Sequence, residues 1–129
     1  MTYYFTSDWH LGHSNIIKYC RRPFLTHEES SLLDLAIKGV IPIKDFIISK
    51  ESTDKMTDAI IDRTNNVATK NDVLVIAGDF CWLPRNRPDL KANIVKSYIY
   101  GWNCKSVYII RGDQDERIVS NTAGFFREV

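Results

Sequence analysis

No apolar run in this chain approaches the roughly 20 residues that span a bilayer, so no membrane-crossing helix is expected. The opening residues, Met1-Thr2-Tyr3-Tyr4-Phe5, have no basic flank, and Asp8 follows too soon for the apolar core of a signal peptide. A cytoplasmic location is the resulting expectation. Cysteine is scarce and odd in number: Cys20, Cys81 and Cys104, with no Cys-x-x-Cys pair. That argues against a disulfide framework and against a four-thiolate zinc site, and leaves reduced, buried thiols as the ordinary reading. Charge of one sign is lacking too. Seventeen Lys and Arg against 16 Asp and Glu give +1, which by itself names no partner. Repeats and low-complexity tracts are absent. What remains is a 129-residue chain, 44% hydrophobic and 26% charged, the composition of one soluble compact domain.

The pattern alternates between strand-like and helix-like segments. Residues 2–7 are aromatic and β-branched and read as a strand. Residues 15–20 suit one or two helical turns, ended by Pro23. Residues 28–38 carry Leu32, Leu33, Leu35, Ala36 and Ile37 before Gly39, which predicts a helix with Gly39 just past its end. Residues 41–49 read as a short extended stretch or an irregular excursion. Ser52 or Thr53 is expected to cap the next helix, whose Met56, Ile60, Arg63 and Val67 lie near 3.6-residue spacing. Asn71-Asp72 is a turn. Residues 73–77, Val-Leu-Val-Ile-Ala, form an unbroken apolar run of the kind buried on both faces of a parallel sheet. A loop bracketed by Pro84 and Pro88, a helix from Asp89 to Tyr100, a strand over 106–110 and a short helix from about Asp115 complete the chain. The order predicts an α/β fold.

Each confident strand ends in a carboxylate at a turn. The first runs into Asp8-Trp9-His10, the second into Gly78-Asp79 and the third into Gly112-Asp113-Gln114-Asp115. Open α/β sheets bind ligands outside the carboxyl ends of their strands. Adjacent parallel strands would gather Asp8, His10, Asp79 and Asp113 at one edge. Clustered carboxylates repel unless a counter-charge joins them, and a divalent cation supplies it. One imidazole among carboxylates suits a first-row metal or zinc better than calcium. Asp also favours turns and caps for purely local reasons. Three in succession, each beside Gly or His, favour the metal reading.

The run Phe5-Thr6-Ser7-Asp8-Trp9-His10-Leu11-Gly12-His13-Ser14-Asn15-Ile16-Ile17-Lys18-Tyr19-Cys20, with Arg22-Pro23-Phe24, resembles the opening of calcineurin-like metallophosphoesterases of the small phage and bacterial type. Gly78-Asp79-Phe80 resembles their second motif. Arg111-Gly112-Asp113-Gln114-Asp115 sits where they carry Gly-Asn-His-Asp or Gly-Asn-His-Glu. The resemblance implies two-metal hydrolysis of phosphate esters, with Mn, Fe, Zn or Mg as the cation. It assigns Asp8 and His10 to one metal, Asp79 to a bridge and Asp113 to the second-metal position. His13 either faces a phosphate or shapes the turn. His27, on the polar lead-in to a helix, reads as a surface residue.

Departures from the family set the functional expectation. Gln114 stands where the family has its catalytic His, and a carboxamide cannot relay a proton at neutral pH. Asp115 remains without the imidazole it would orient. The family also uses a later lone His and a Gly-His-x-His motif, neither of which follows Asp113 here. The resemblance therefore implies a partial fold over 1–129: a mostly parallel sheet flanked by helices, with the second sheet largely missing. A sheet without its covering layer exposes apolar surface or an unpaired edge. Such a chain is expected to self-associate or bind another protein. The apolar insertion at about 31–49, with Leu32, Leu33, Leu35, Ile37, Val40, Ile41, Phe46, Ile47 and Ile48, is the candidate cover.

Charge is also unevenly placed. Residues 84–111 hold six bases and one acid, 6 − 1 = +5, interleaved with Tyr98, Tyr100, Trp102 and Tyr108 just beyond Trp82. Residues 51–79 hold six acids and three bases. The basic stretch reads either as a nucleic-acid track with stacking aromatics or as a solvated helix face over core aromatics. Three functions follow in order. The first is an impaired metallophosphoesterase-type protein acting by binding a protein partner, as a phage-type inhibitor would. The second is an active phosphomonoesterase or phosphodiesterase, its site completed within a homo-oligomer. The third is a nucleic-acid binder.

Overall fold

The computed structural model describes residues 1–82, 93–94, 96–98 and 101–110. Three strands form a parallel sheet in the order β1-β2-β3: β1 is Tyr3–Thr6, β2 Val73–Ala77 and β3 Ser106–Ile110. The register aligns Tyr3 with Val73 and Ser106, and Thr6 with Ile76 and Ile109. The helices among the described residues are α1 (Ser14–Tyr19), α2 (His27–Ile37) and α3 (Lys50–Val67), and 93–94 and 96–98 are also helical. The fold is therefore α/β. No helix among the described residues is long and apolar enough to cross a membrane.

The chain forms two compact units. One comprises residues 1–11 and the described residues from Ala59 onward; the other is Gly12–Asp58. In the first, β2 is buried on both faces, Val73 and Val75 included, and one sheet face carries the larger cluster. Leu74 and Ile76 of β2 and Ile109 of β3 pack with Trp9, Leu11, Phe80, Cys81, Trp102 and Cys104, and Ile60 and Ile61 of α3 close over them. The alternate side chains Tyr3, Phe5 and Ile110 are exposed. Two polar staples hold this unit together. Asn65 on α3 donates to the Gly101 carbonyl at 2.7 Å and accepts from the Asn103 amide at 2.9 Å, fixing the loop that carries Trp102. The Asp72 carboxylate accepts from the Thr69 and Thr2 amides at 2.8 and 2.9 Å, tying the turn before β2 to the start of β1. These bonds, the Thr69 amide first, hold the Asp72 carboxyl below its ordinary range.

In the second unit, Ile17, Leu33, Phe46, Ile48 and Met56 are buried. Helix α2 opens on a capping box: Thr26 Oγ1 accepts from the Glu29 amide, and Glu29 Oε1 accepts from the Thr26 amide. It ends in a Schellman motif. Val40 N–H donates to Leu35 and Gly39 N–H to Ala36, with Gly39 at φ +78° as expected of the residue just past the helix. One sequence alternative is decided and one expectation corrected here. Residues 41–49 are the irregular excursion rather than an extended stretch, and they contain a 3-10 turn, Ile43–Asp45. The buried Lys18 ammonium explains it, donating to the Ile43 and Phe46 carbonyls at 3.0 and 2.6 Å and lying 4.8 Å from the Phe46 ring centroid. A straight strand would not present both carbonyls to one cation. Helix α3 begins at Lys50, so Ser52 and Thr53 lie inside it, and the capping oxygen is Ser49 Oγ, which accepts from the Ser52 amide at 3.2 Å.

Glu29 carries the second unit's polar core. Its carboxylate accepts from the Ser49 amide at 2.9 Å, from the Ser49 hydroxyl and from the Ser52 hydroxyl, joining α2 to the start of α3. Burial alone would raise the Glu29 pKa, but the Ser52, Ser49 and Thr26 donors outweigh it and bring it from 4.5 to about 2. A depressed carboxyl stabilises the fold above its unfolded pKa and loses that contribution as pH falls. The stabilisation is therefore complete at neutral pH and disappears between 4.5 and 2. Its contribution is on the order of a few kcal/mol at most. Glu29→Gln, which turns one of the two acceptor oxygens into a donor and removes the charge, should lower the melting temperature at pH 7 and flatten its dependence on pH across that window. An unchanged acid limb would contradict this account.

Candidate metal centre

Asp8 and His10 lie just beyond β1, and Asp79 just beyond β2, at the carboxyl ends of two neighbouring parallel strands. Their loops do not diverge where the strands end. Asp8 N–H donates to the Gly78 carbonyl at 3.2 Å, His10 N–H to the Asp79 carbonyl at 2.9 Å and Leu11 N–H to the Phe80 carbonyl at 3.0 Å. Trp82 N–H returns to the Leu11 carbonyl at 2.9 Å, and Leu11 and Cys81 form a parallel bridge. Leu11 and Phe80 are fully buried and anchor the far end of the pair. The Gly78 amide also donates to the Ile110 carbonyl at 2.8 Å, which fixes the turn after β2 to the end of β3.

Backbone conformation singles out the same residues. Asp8, His10 and Asp79 sit at φ +54°, +50° and +48°; the other non-glycine residue of this kind among those described is Arg21. Left-handed backbone at a non-glycine residue costs on the order of 1 kcal/mol or more, although Asp and His tolerate it better than most. Burial of side chains such as Leu11 and Phe80 returns roughly 2–3 kcal/mol each, enough to impose the strained loop.

One ligand atom from each of Asp8, His10 and Asp79 lies within 4.8 Å of the others, and His10 Nε2 is 3.9 Å from Asp79 Oδ2. A first-row cation bonded at about 2.1 Å holds neighbouring ligand atoms roughly 3–3.5 Å apart. The three residues therefore fit such a cation after side-chain closure of about 1 Å. One nitrogen and two carboxylate oxygens suit Mn, Fe or Zn, and Mg less well. His10 and Asp79 are half-buried and Asp8 is exposed, which leaves the group open to a ligand from solvent. Ser7 Oγ donates to Asp8 Oδ2 at 3.0 Å, a support that the sequence pattern did not single out.

The structure thus brings together Asp8, His10 and Asp79. The remaining predicted site residues fall elsewhere. Asp113, Gln114, Asp115 and the short helix expected from Asp115 lie outside the described residues, as do four of the six bases of the stretch 84–111, Arg85, Arg87, Lys91 and Arg111. His13 belongs to the second unit, where it precedes α1 without a side-chain capping bond, and it is not in the ligand group. His27 is exposed, as expected of a surface residue. Of the three thiols, Cys81 and Cys104 are buried, but Cys20 is exposed, contrary to expectation. Two aromatics of the basic stretch, Tyr98 and Trp102, pack against Phe80 with ring centroids at 6.2 and 5.5 Å. Those rings serve the core rather than a stack of bases. Comparison with protein-family models, with curated proteins and with solved structures gives no match for this chain.

Titration calorimetry with Mn²⁺ tests the ligand set. His10→Ala and Asp79→Asn should each weaken binding by about tenfold or more, as loss of a metal ligand does, whereas His27→Ala should leave it unchanged. Equal affinity across all three would remove the site.

Proposed function

We propose that the chain is a divalent-cation-binding protein of the metallophosphoesterase type, impaired in turnover, that acts by binding a protein partner. The observation that carries the cation reading is the convergence of Asp8, His10 and Asp79 across two adjacent strand ends, each on strained backbone. Strain of this kind persists where the surrounding structure over-determines it, and it clusters at sites that use their geometry. The motif order of the sequence supports the family reading. A cation held there would polarise a phosphoryl oxygen as a Lewis acid.

The impairment follows from Gln114 in the sequence. A carboxamide donates a hydrogen bond to a phosphoryl or leaving-group oxygen, but it neither delivers nor accepts a proton. General acid–base assistance is worth roughly 10²–10⁴ in rate. A chain that keeps anion attraction and loses that assistance binds phosphate groups better than it cleaves their esters.

Partner binding is supported by the apolar segment at 31–49. Leu33, Phe46 and Ile48 are buried in their own unit, while Leu32, Leu35, Ile37, Val40 and Ile47 are exposed, Ile47 at 88%. This division decides which substitution tests it. Phe46 is 6% exposed and lies under the Lys18 ammonium, so charging it damages the unit itself; Ile47→Glu probes the surface.

The second reading, an active phosphoesterase, draws on the same strained ligands, because a site kept in unfavourable backbone suits use as well as descent. Hydrolysis of p-nitrophenyl phosphate and bis-p-nitrophenyl phosphate with added Mn²⁺ separates the two. We expect the wild type to match Asp8→Ala, and Gln114→His to raise the rate by about 100-fold if the imidazole alone is missing. Wild-type turnover well above Asp8→Ala would overturn the impaired reading in favour of the enzyme.

A further inference from the structure

We infer that the groove between β1 and the last turns of α3 is a binding site for a small planar aromatic carboxylate. The inference goes beyond the cation reading and does not depend on it. Tyr4, Phe5 and Trp9 line the groove from one side of the chain, and Val67 and Ala68 of α3 from the other, around a space of about 250 Å³. All of them belong to the first unit. Successive side chains of a strand point to opposite faces, so a space that touches Tyr4, Phe5 and Thr6 in turn runs along the strand's free side. Among the described residues β1 is an outer strand of the sheet. Small-molecule pockets are mostly apolar clefts of roughly 300–1,000 Å³ with a few polar groups. A space just under that range takes one or two fused rings. The sheet side is already shaped: Trp9 is a member of the core cluster, edge to face with Trp102 at 5.7 Å. The rim is left to solvent, with Phe5 75% and Val67 58% exposed. Three aromatic side chains in the lining favour a ring in the ligand, because edge and offset ring contacts add to simple burial.

The polar groups select the charge. The sequence sets Arg63 on the same periodic stripe as Met56, Ile60 and Val67, where an apolar residue is the rule. The structure puts Arg63 in the lining of the groove, exposed, with no hydrogen bond or ion pair to any described residue. Its own helix offers it no carboxylate: the positions three and four residues away are Ala59, Ile60, Asn66 and Val67. The two hydroxyls of the lining differ. Thr64 spends its proton on the Ile60 carbonyl at 2.8 Å, whereas Thr6 Oγ1 accepts from Trp9 Nε1 at 2.8 Å and keeps its own proton to donate. A guanidinium and a hydroxyl donor, with no Asp or Glu in the lining, attract an anion. The planar fork of Arg63 matches a carboxylate, and its stem covers apolar surface beneath the charge. One guanidinium balances one negative charge, which a phosphate dianion would exceed.

Amide NMR of the full chain, titrated with 2-naphthoate, tests this. EDTA is present throughout, so no cation at Asp8, His10 and Asp79 takes part and the outcome is separate from that of the cation reading. Saturable shifts are expected at the Phe5, Thr6, Arg63 and Ala68 amides, with a Kd on the order of 1 mM for a ligand this small. The 2-naphthylmethylammonium ion, with the same rings and the opposite charge, should bind at least about tenfold more weakly. Arg63→Gln should weaken 2-naphthoate by about tenfold, the worth of a charge-assisted hydrogen bond. Val67→Glu, which sets a carboxylate one turn from Arg63 to pair with it, should do the same. Both positions are exposed, so both variants should keep the wild-type spectrum elsewhere. Lys70→Gln removes an exposed cation outside the lining and should leave the affinity unchanged. Absence of saturable shifts at the groove in the wild type would overturn the inference. Equal binding of the ammonium ion, or unchanged affinity in Arg63→Gln, would overturn it as well.

Discussion

The pairing of β1 with β2 does not stop where the strands stop. The main chain continues it through Asp8 to Gly78, His10 to Asp79, Leu11 to Phe80 and Trp82 to Leu11. Parallel strands usually part at their carboxyl ends, and the crevice between departing loops is where α/β sheets bind ligands. Here the loops stay together for four residues and close on Leu11 and Phe80 in the core. The result is a short stretch of backbone with almost no freedom, made from residues that would not choose its conformation. Everything proposed for the site depends on that constraint, because it joins Asp8 and His10 to Asp79, some 70 residues later, as one donor set.

The strain and the core are two aspects of the same arrangement. Left-handed backbone at three polar residues opposes folding by an amount comparable to burial of one or two large side chains. The aromatic cluster of Trp9, Phe80, Trp102 and Tyr98 lies directly behind the loops and supplies the opposing term. Carboxylates brought together in this way repel each other, so the arrangement is least favourable when nothing neutralises it. A bound cation relieves the repulsion without altering the backbone. The second unit obeys a different rule. Its organising groups are the single buried charges Lys18 and Glu29, each surrounded by hydrogen-bonding partners rather than by an opposite charge.

Much of this was legible in the residues. The apolar run 73–77 announced a buried strand of a parallel sheet, the aromatic and β-branched residues 2–7 announced the first strand, and Gly39 announced the end of α2. The carboxylate after each strand announced where acidic groups would gather, and at the ends of β1 and β2 Asp8 and Asp79 do come together with His10. Other features were hidden for identifiable reasons. The turn at Ile43–Asp45 follows from Lys18, some 25 residues earlier in the chain, and no local pattern reports so distant a partner. The capping box at Thr26 is written in its Thr-x-x-Glu spacing, two residues before the expected start of the helix at residue 28. Ser49 was displaced as a cap by the equally plausible Ser52 and Thr53, because three adjacent hydroxyls give propensity no means of choosing. The left-handed backbone of Asp8, His10 and Asp79 had no sequence signal, since Asp and His are compatible with several turn conformations.

The division of the segment at 31–49 shows how far composition reaches. Its apolar content was evident, but which residues face inward was not, because a stretch that mixes helix, turn and loop has no single period. The structure buries Phe46 and exposes its neighbour Ile47. The central claim is narrower than any of these points: three side chains on a welded pair of loops form one cation site. Anomalous diffraction from crystals grown with Mn²⁺ addresses it directly. The account predicts a peak about 2.1–2.2 Å from Asp8, His10 and Asp79 together. Ordered crystals with no peak there, or with manganese bound only at other carboxylates, would contradict it.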